Sequence, residues 1–182
     1  VESETTTAYI GLGSNLGDRA GNLLLAIRGL MEASFVVRKL SAIYETDPVE
    51  IDSDTKFLNM VVEISVTNVS PTQMMARLLR IEYLLERKFK NLKKPRTADL
   101  DILFFGGQQM DTEFLVLPHP RLHLRRFVLE PLAEIAPNLV HPVLGTEIRE
   151  LLANVNDASS VKRWNPNANA ERSAASIGRA HI

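Results

Sequence analysis

Two aspartates, Asp99 and Asp101, stand one residue apart inside the run ADLDILFF (98–105), which is otherwise almost wholly apolar. That run has the composition of an interior β-strand. Residues i and i+2 of a strand project to one face, about 6–7 Å apart along the chain. Both carboxylates therefore sit side by side next to a core, where like charges are costly unless something positive joins them. The partner is an arginine, a lysine or a metal ion. Whatever fold the chain adopts must set a charged pair beside a packed interior.

The flanking pattern places this strand last in a series. AYIGLG (8–13) reads as a first strand, and SNLGD as the turn after it. Asp18 is the expected N-cap of a helix over Arg19–Ala33, with Leu23, Ile27, Leu30 and Met31 as its apolar stripe. FVVRKLSAIYET (35–46) reads as one strand, DPVEIDSDTK (47–56) as a polar loop and FLNMVVEISVT (57–67) as a third strand. Ser70, Pro71 and Gln73 then supply an N-cap, a first-turn proline and the return partner of a capping box. The helix they start should reach about Lys88 and bury Met74, Leu78, Ile81 and Leu85.

The order β-α-β-β-α-β predicts a ferredoxin-like α+β fold, an antiparallel sheet with helices on one face. C-terminal additions follow: a short strand near Gln108–Asp111, a helix around Phe127–Ala136 and a last helix near Glu147–Asn154. Residues 7–164 are expected to form one domain, with 1–6 frayed and 165–182 a disordered tail or linker.

Bulk properties narrow the function. A net charge of −1 provides no global basic field for nucleic acid, so any phosphate must be met by a local cluster. The absence of cysteine removes disulfides and thiolate metal sites and fits a reducing compartment. No apolar run approaches the ~20 residues of a membrane span, and cytoplasm is the expected location.

Local clusters do exist. Arg87, Lys88, Lys90, Lys93, Lys94 and Arg96 precede the aspartate strand, and LPHPRLHLRRF (117–127) follows it with His119, Arg121, His123, Arg125 and Arg126. A D-x-D pair offers oxygens to a hard cation such as Mg²⁺ while leaving positions for phosphate. Carboxylates for magnesium and two basic segments for phosphate are the parts of a phosphoryl-transfer site. The two histidines fit phosphate donors better than zinc ligands. GLGSNLG (11–17) lacks the spacing of a dinucleotide loop, and a tight turn accounts for its glycines. The competing class is a ferredoxin-like binding module without chemistry, for RNA or small regulators, whose RNA-binding version needs a basic sheet face rather than aspartates on a central strand.

KPRTADLDILFF (94–105) resembles the signature of the 6-hydroxymethyl-7,8-dihydropterin pyrophosphokinase family. YIGLGSNLGDR, SAIYETDPV, FLNMVV, RIEYLLER and LPHPRLHLRRFVLEPLAEIAP agree with it in the same order, over about Ala8–Asn154. The resemblance implies transfer of the β,γ-diphosphate of ATP to the pterin's hydroxymethyl oxygen, releasing AMP, in folate biosynthesis. It implies two Mg²⁺ ions between the phosphates and Asp99 and Asp101, with Arg87 and Arg96 neutralising phosphate charge. Glu82, Ile102, His119 and Arg125 would complete the ATP site. The pterin would lie between Phe57 and Phe127, held by Thr46 and Asn59 with backbone help from Asp47 and Val49. A monomer is implied, with fusion to or association with other folate-pathway enzymes. The chain departs from the family pattern at Lys94, where glycine is usual, and in a basic loop about one residue shorter.

Overall fold

The computed structural model describes residues 4–47, 55–87 and 97–167, and of Arg87 the backbone only. Strand β1 (Thr5–Ser14) leads into helix α1 (Arg19–Glu32), then β2 (Val36–Leu40), β3 (Tyr44–Thr46) and β4 (Phe57–Thr67). Helix α2 (Pro71–Arg87) and β5 (Asp99–Phe105) complete the βαββαβ series. Beyond it come β6 (Met110–Asp111), β7 (Val116–Leu117), α3 (Arg126–Ile135), α4 (Ile148–Asn154) and β8 (Val161–Arg163). Among the described residues six strands form one sheet, ordered β5-β1-β4-β3-β8 with β2 also on β4, and β6 and β7 pair separately. The pairings in both sheets are antiparallel, and the fold is the ferredoxin-like α+β arrangement. None of the helices among the described residues is long and apolar enough to cross a membrane.

Local chemistry sets the helix starts. The Asp18 carboxylate accepts from the Gly21 amide at 3.0 Å and caps α1. At α2 the capping box is reciprocal: Gln73 N–H donates to Ser70 Oγ at 3.2 Å, and Ser70 N–H donates to Gln73 Oε1 at 2.9 Å. Met74, Leu78, Ile81 and Leu85 are all buried, each worth about 1.5–3 kcal/mol of apolar burial. On α1 the stripe runs through Leu23, Ala26 and Leu30, whereas Met31 is 61% exposed and outside it. Arg77 of α2 donates to the Ala33 carbonyl at 3.0 Å, satisfying a group that the end of α1 leaves open.

Four features depart from the sequence reading. Thr5 and Thr6, expected to fray, pair with Thr67 and Val66 in β1. The run 35–46 is two strands, because Ser41 breaks it: its N–H donates to the Val61 carbonyl and its Oγ accepts the Val61 N–H. The aspartate strand, read as central, ends the sheet order. On that outer side the Leu100 N–H donates to Glu82 Oε1 at 2.7 Å, and the Leu103 carbonyl accepts from His119 N–H at 3.0 Å. Finally, helices cover both faces. One core lies between the sheet and α1 and α2, and a second joins Tyr9, Val61, Leu103 and Phe104 to α3 and α4. Strand β8 was not legible in the sequence, and residues 168–182 of the expected tail lie outside the described residues.

Helices α1 and α2 meet at Gly29, where an added Cβ would lie 2.7 Å from Ile81 Cγ2. A mid-helix Gly→Ala change gains about 1 kcal/mol from propensity. Ile81 is buried and stiff at χ1, so overpacking of about 1–3 kcal/mol should outweigh that gain. Gly29→Ala is therefore expected to lower the urea midpoint; a raised midpoint would show that the helices can part.

Candidate active site

A cavity of about 420 Å³ opens on the sheet face that carries α3. Its floor is β1, where Gly11 and Gly13 present no side chain. Gly11 pairs with Val61 on one side and Asp101 on the other, and Gly13 likewise with Asn59 and Asp99. The strip is bare for a reason. A Cβ at Gly13 would stand 3.0 Å from Asn59 Oδ1, and one at Gly11 would meet Leu103 at 3.4 Å. These two glycines lie within the strand expected over 8–13, so a tight turn does not account for them. Gly17, with φ +60°, is the one that makes the turn.

Asp99 and Asp101 line the cavity together, Asp99 half-buried and Asp101 exposed, while Leu100 and Ile102 between and beside them enter the core behind the sheet. Alternation holds up to Leu103 and breaks at Phe104. The β1–β5 register shifts between Tyr9 and Ile10, leaving Leu103 as the extra residue of a β-bulge. Leu103 and Phe104 both join the second core as a result, and Phe105 returns to the first. The bulged Leu103 offers the carbonyl that holds the backbone of His119.

The basic wall comes from the segment after β7. His119, Arg121 and Arg125 line the cavity, and the Arg125 guanidinium lies 5.5 Å from the centre of the Phe127 ring. Burial pushes the His119 imidazole down to about 4, and Arg125 and Arg121 push the same way; its backbone contact and Asp99 only partly oppose them. Its Nδ1 accepts the Arg121 N–H at 3.2 Å, so the proton of the neutral ring is assigned to Nε2.

At the other end, Asn59 Nδ2 donates to Thr46 Oγ1 at 2.8 Å, both residues being buried. That bond fixes the amide, leaving Asn59 Oδ1 as acceptor and the Thr46 hydroxyl as donor. Phe57 and Phe127 line the same space, as does Asp47, which pairs with Lys56 at 3.4 Å. Arg19 at the start of α1 binds Glu45 at 3.0 Å and the Lys56 carbonyl at 2.8 Å, tying the ends of β3 and β4.

The expected site residues Thr46, Asp47, Phe57, Asn59, Asp99, Asp101, His119, Arg125 and Phe127 thus meet in one cavity. Ile102 points its side chain into the core behind the sheet, and Glu82 holds the β5 backbone rather than lining the cavity. Val49, Arg96 and the Arg87 side chain lie outside the described residues. Two members of the basic segment turn elsewhere. His123 packs edge-on against His141 with ring centres 6.0 Å apart, and the Arg126 side chain donates to the Asp157 carbonyl. Gly11, Gly13 and Leu103 were not foreseen as lining residues; GLG at the end of an apolar strand was the available signal. Among the described residues no cluster of three or more His, Asp or Glu could hold a metal by itself. The two carboxylates are hard oxygen donors that suit Mg²⁺ when phosphate and water fill its other positions.

The depressed His119 value has a definite sign. Between about 4 and its ordinary 6.5, the unfolded chain takes up a proton that the folded chain refuses. Stability should therefore fall as pH drops through that window, and His119→Gln should flatten the slope there. The ring's own NMR titration should have its midpoint near 4; a midpoint at 6.5 would overturn the assignment.

The model of the family described as 7,8-dihydro-6-hydroxymethylpterin-pyrophosphokinase (HPPK) matches residues 9–137. A Bacillus subtilis (strain 168) protein named 2-amino-4-hydroxy-6-hydroxymethyldihydropteridine pyrophosphokinase is 49% identical over 129 residues, 70% of this chain and 77% of its own. One of the same name from Methylorubrum extorquens is 42% identical over 159 residues, covering 87% and 98%. A mitochondrial folate synthesis bifunctional protein of Arabidopsis thaliana is 37% identical, with 77% of this chain matched to 25% of that one. In three dimensions the chain is similar to Plasmodium falciparum HPPK-DHPS solved with pteroate, with a TM-score of 0.67 at 18% identity, over 84% of this chain and 45% of that one. The chain spans less than half of that solved protein, and the likeness there speaks for the fold alone. Taken with the family match and the relatives at 49% and 42% identity, the sequence establishes that this chain belongs to the 7,8-dihydro-6-hydroxymethylpterin-pyrophosphokinase family of enzymes.

Proposed function

We propose that the chain catalyses the magnesium-dependent transfer of diphosphate from ATP to 6-hydroxymethyl-7,8-dihydropterin, giving the pterin diphosphate and AMP, a step of folate synthesis. The observation that carries this reading is the pairing of two carboxylates with a fixed amide–hydroxyl couple across a bare strand. Neighbouring strands lie about 4.8 Å apart, so the carboxylates and the amide are separated by roughly 10 Å across two strand spacings. A flat heterocycle bound at Asn59 between Phe57 and Phe127 spans that distance with a short substituent.

Each residue then has a part. Asn59 Oδ1 and the Thr46 hydroxyl read a donor–acceptor edge of the pterin ring, and the backbone of Asp47 and Val49 would add to that recognition. Phe57 and Phe127 cover its faces. Asp99 and Asp101 are the residues that would hold Mg²⁺, two ions in this reading, whose contribution when bound is to neutralise phosphate charge. Arg125 faces the triphosphate with permanent positive charge, and Arg87 and Arg96 would add theirs. His119, neutral over the working pH range, donates from Nε2 to a phosphate oxygen. Glu82 and Ile102 border the nucleotide through the β5 backbone.

The hydroxymethyl oxygen attacks the β-phosphorus, a new P–O bond forms, and the bond from that phosphorus to the α,β-bridging oxygen breaks. AMP leaves with the bridging oxygen, and the hydroxyl proton passes to solvent. Positioning and charge neutralisation supply most of the barrier reduction in such transfers. With this reading go a monomer, a cytoplasmic location, and joining to other folate enzymes, as in the bifunctional relatives.

The test is AMP release from ATP in the presence and absence of the pterin and of Mg²⁺. Asp99→Ala and Asp101→Ala should each lower turnover by about 100-fold or more, by analogy with a lost transition-state charge partner, with little change in thermal midpoint. Turnover near wild type in both variants, or release that ignores the pterin, would defeat the reading.

A further inference from the structure

The family match stops at residue 137, yet the chain beyond it closes back onto two walls of the cavity. Helix α3 begins at Arg126 without a side-chain cap from its own N-cap residue, Arg125. The missing acceptor arrives from 31 residues downstream: Asp157 Oδ2 accepts the Arg126 N–H at 2.7 Å. Arg126 Nε donates in turn to the Asp157 carbonyl at 3.0 Å, and Asp157 Oδ1 accepts the Ser159 N–H at 2.9 Å. A few residues on, β8 pairs with β3, placing Val161 opposite Thr46, and the Trp164 N–H donates to the Ile43 carbonyl at 2.8 Å. The segment 157–164 thus grips both the helix end that carries Arg125 and Phe127 and the strand that carries Thr46.

We propose that Asp157 is a positioning residue of the active site, supplying from farther along the chain the N-cap that holds Arg125 and Phe127 against the substrates. The inference rests on the reaction proposed above. Burial alone would raise the Asp157 carboxyl, but hydrogen bonds from Ser159 and Arg126 and the Arg126 charge hold it below the ordinary range, so the cap is ionised at neutral pH. A charged acceptor at a helix N-terminus is stronger than a neutral one. The helix start it fixes is the one that turns Phe127 toward the cavity.

Two variants cut the link from opposite sides. Asp157→Ala removes the acceptor. Arg126→Pro removes the donor N–H while suiting the first helical position, and Arg125 already has the extended backbone (φ −121°, ψ 109°) that precedes proline. Ser70→Ala, which strips a comparable cap from α2 outside the cavity, is the control. The KM for the pterin should rise roughly tenfold in Asp157→Ala and Arg126→Pro, in keeping with the strength of a lost cap. The turnover at saturation should stay within about threefold, because Asp99, Asp101 and His119 are held by β5 and the segment after β7, outside the capped helix. Ser70→Ala should lower the thermal midpoint and leave KM alone. A wild-type KM in a folded Asp157→Ala or Arg126→Pro, or an equal rise in Ser70→Ala, would overturn the proposal. Wild-type chain that releases no AMP would sink the reaction instead. Hydrogen exchange at the Phe127 and Val128 amides then decides: faster exchange in the variants sustains the positioning role, and unchanged exchange removes it.

Discussion

A strand whose last residues, from Gly11 to Gly13, carry no side chain on one face is the constraint on which this architecture depends. Ile10 and Leu12 of β1 are fully committed to the core, while Gly11 and Gly13 leave the opposite face empty. Glycine inside a strand costs roughly 0.5–1 kcal/mol of conformational freedom and offers nothing to pack. Here β1 tolerates it because it is paired along both edges, with β4 on one side and β5 on the other. The bare strip turns a flat sheet surface into a trough whose opposite banks are Asp99 and Asp101 and the Asn59–Thr46 pair. A side chain at either glycine would fill the space those groups face.

The bulge at Leu103 solves a second problem on the neighbouring β5. Strict alternation would keep Leu103 on the α3 side and send Phe104 into the core behind the sheet. One extra residue turns Phe104 to join Leu103 in the second core, and the Leu103 carbonyl accepts the His119 N–H. The basic wall is thereby fixed to the aspartate strand by backbone as well as by charge. Its chemistry is divided: Arg121 and Arg125 hold permanent positive charge, and their nearness, added to burial, keeps the imidazole neutral. A neutral donor between fixed cations can meet phosphate oxygens without changing charge over the range in which cells work.

What was legible in the sequence was mostly local. The capping box at Ser70 and Gln73, the stripe Met74–Leu78–Ile81–Leu85 and the facing of Asp99 and Asp101 depend on residues within a few positions, and all appear in the structure. The features that were not legible depend on pairing across the chain. Ser41 reads as one more strand residue until its hydroxyl meets Val61, and the bare face of GLG becomes a trough only when β4 and β5 close on both sides of it. The sheet order put the aspartate strand at an edge, which an apolar run cannot announce, since α2 and the His119 segment bury that edge as well as a strand would. His123 and Arg126 looked equivalent to His119 and Arg125 in a basic run. The turn at Leu122–Leu124 and the start of α3 rotate them away.

The Asn59–Thr46 end of the cavity is braced by polar contacts rather than by apolar packing alone. Glu134 of α3 accepts from the Ala42 N–H at 2.9 Å, the Tyr44 hydroxyl at 3.0 Å and Arg163 at 3.5 Å, so one carboxylate joins α3, β3 and β8. Burial, then the hydrogen bond and charge of Glu134, push the Tyr44 phenol up to about 12, which keeps it a donor under any working condition. Tyr44 is the register partner of Asn59, the residue whose amide orientation decides which edge of a ligand can bind. Directional bonds of this kind fix angles that apolar contacts leave loose. Specificity for a flat polar ring asks for fixed angles, and the C-terminal segment that closes on β3 and α3 belongs to the same brace.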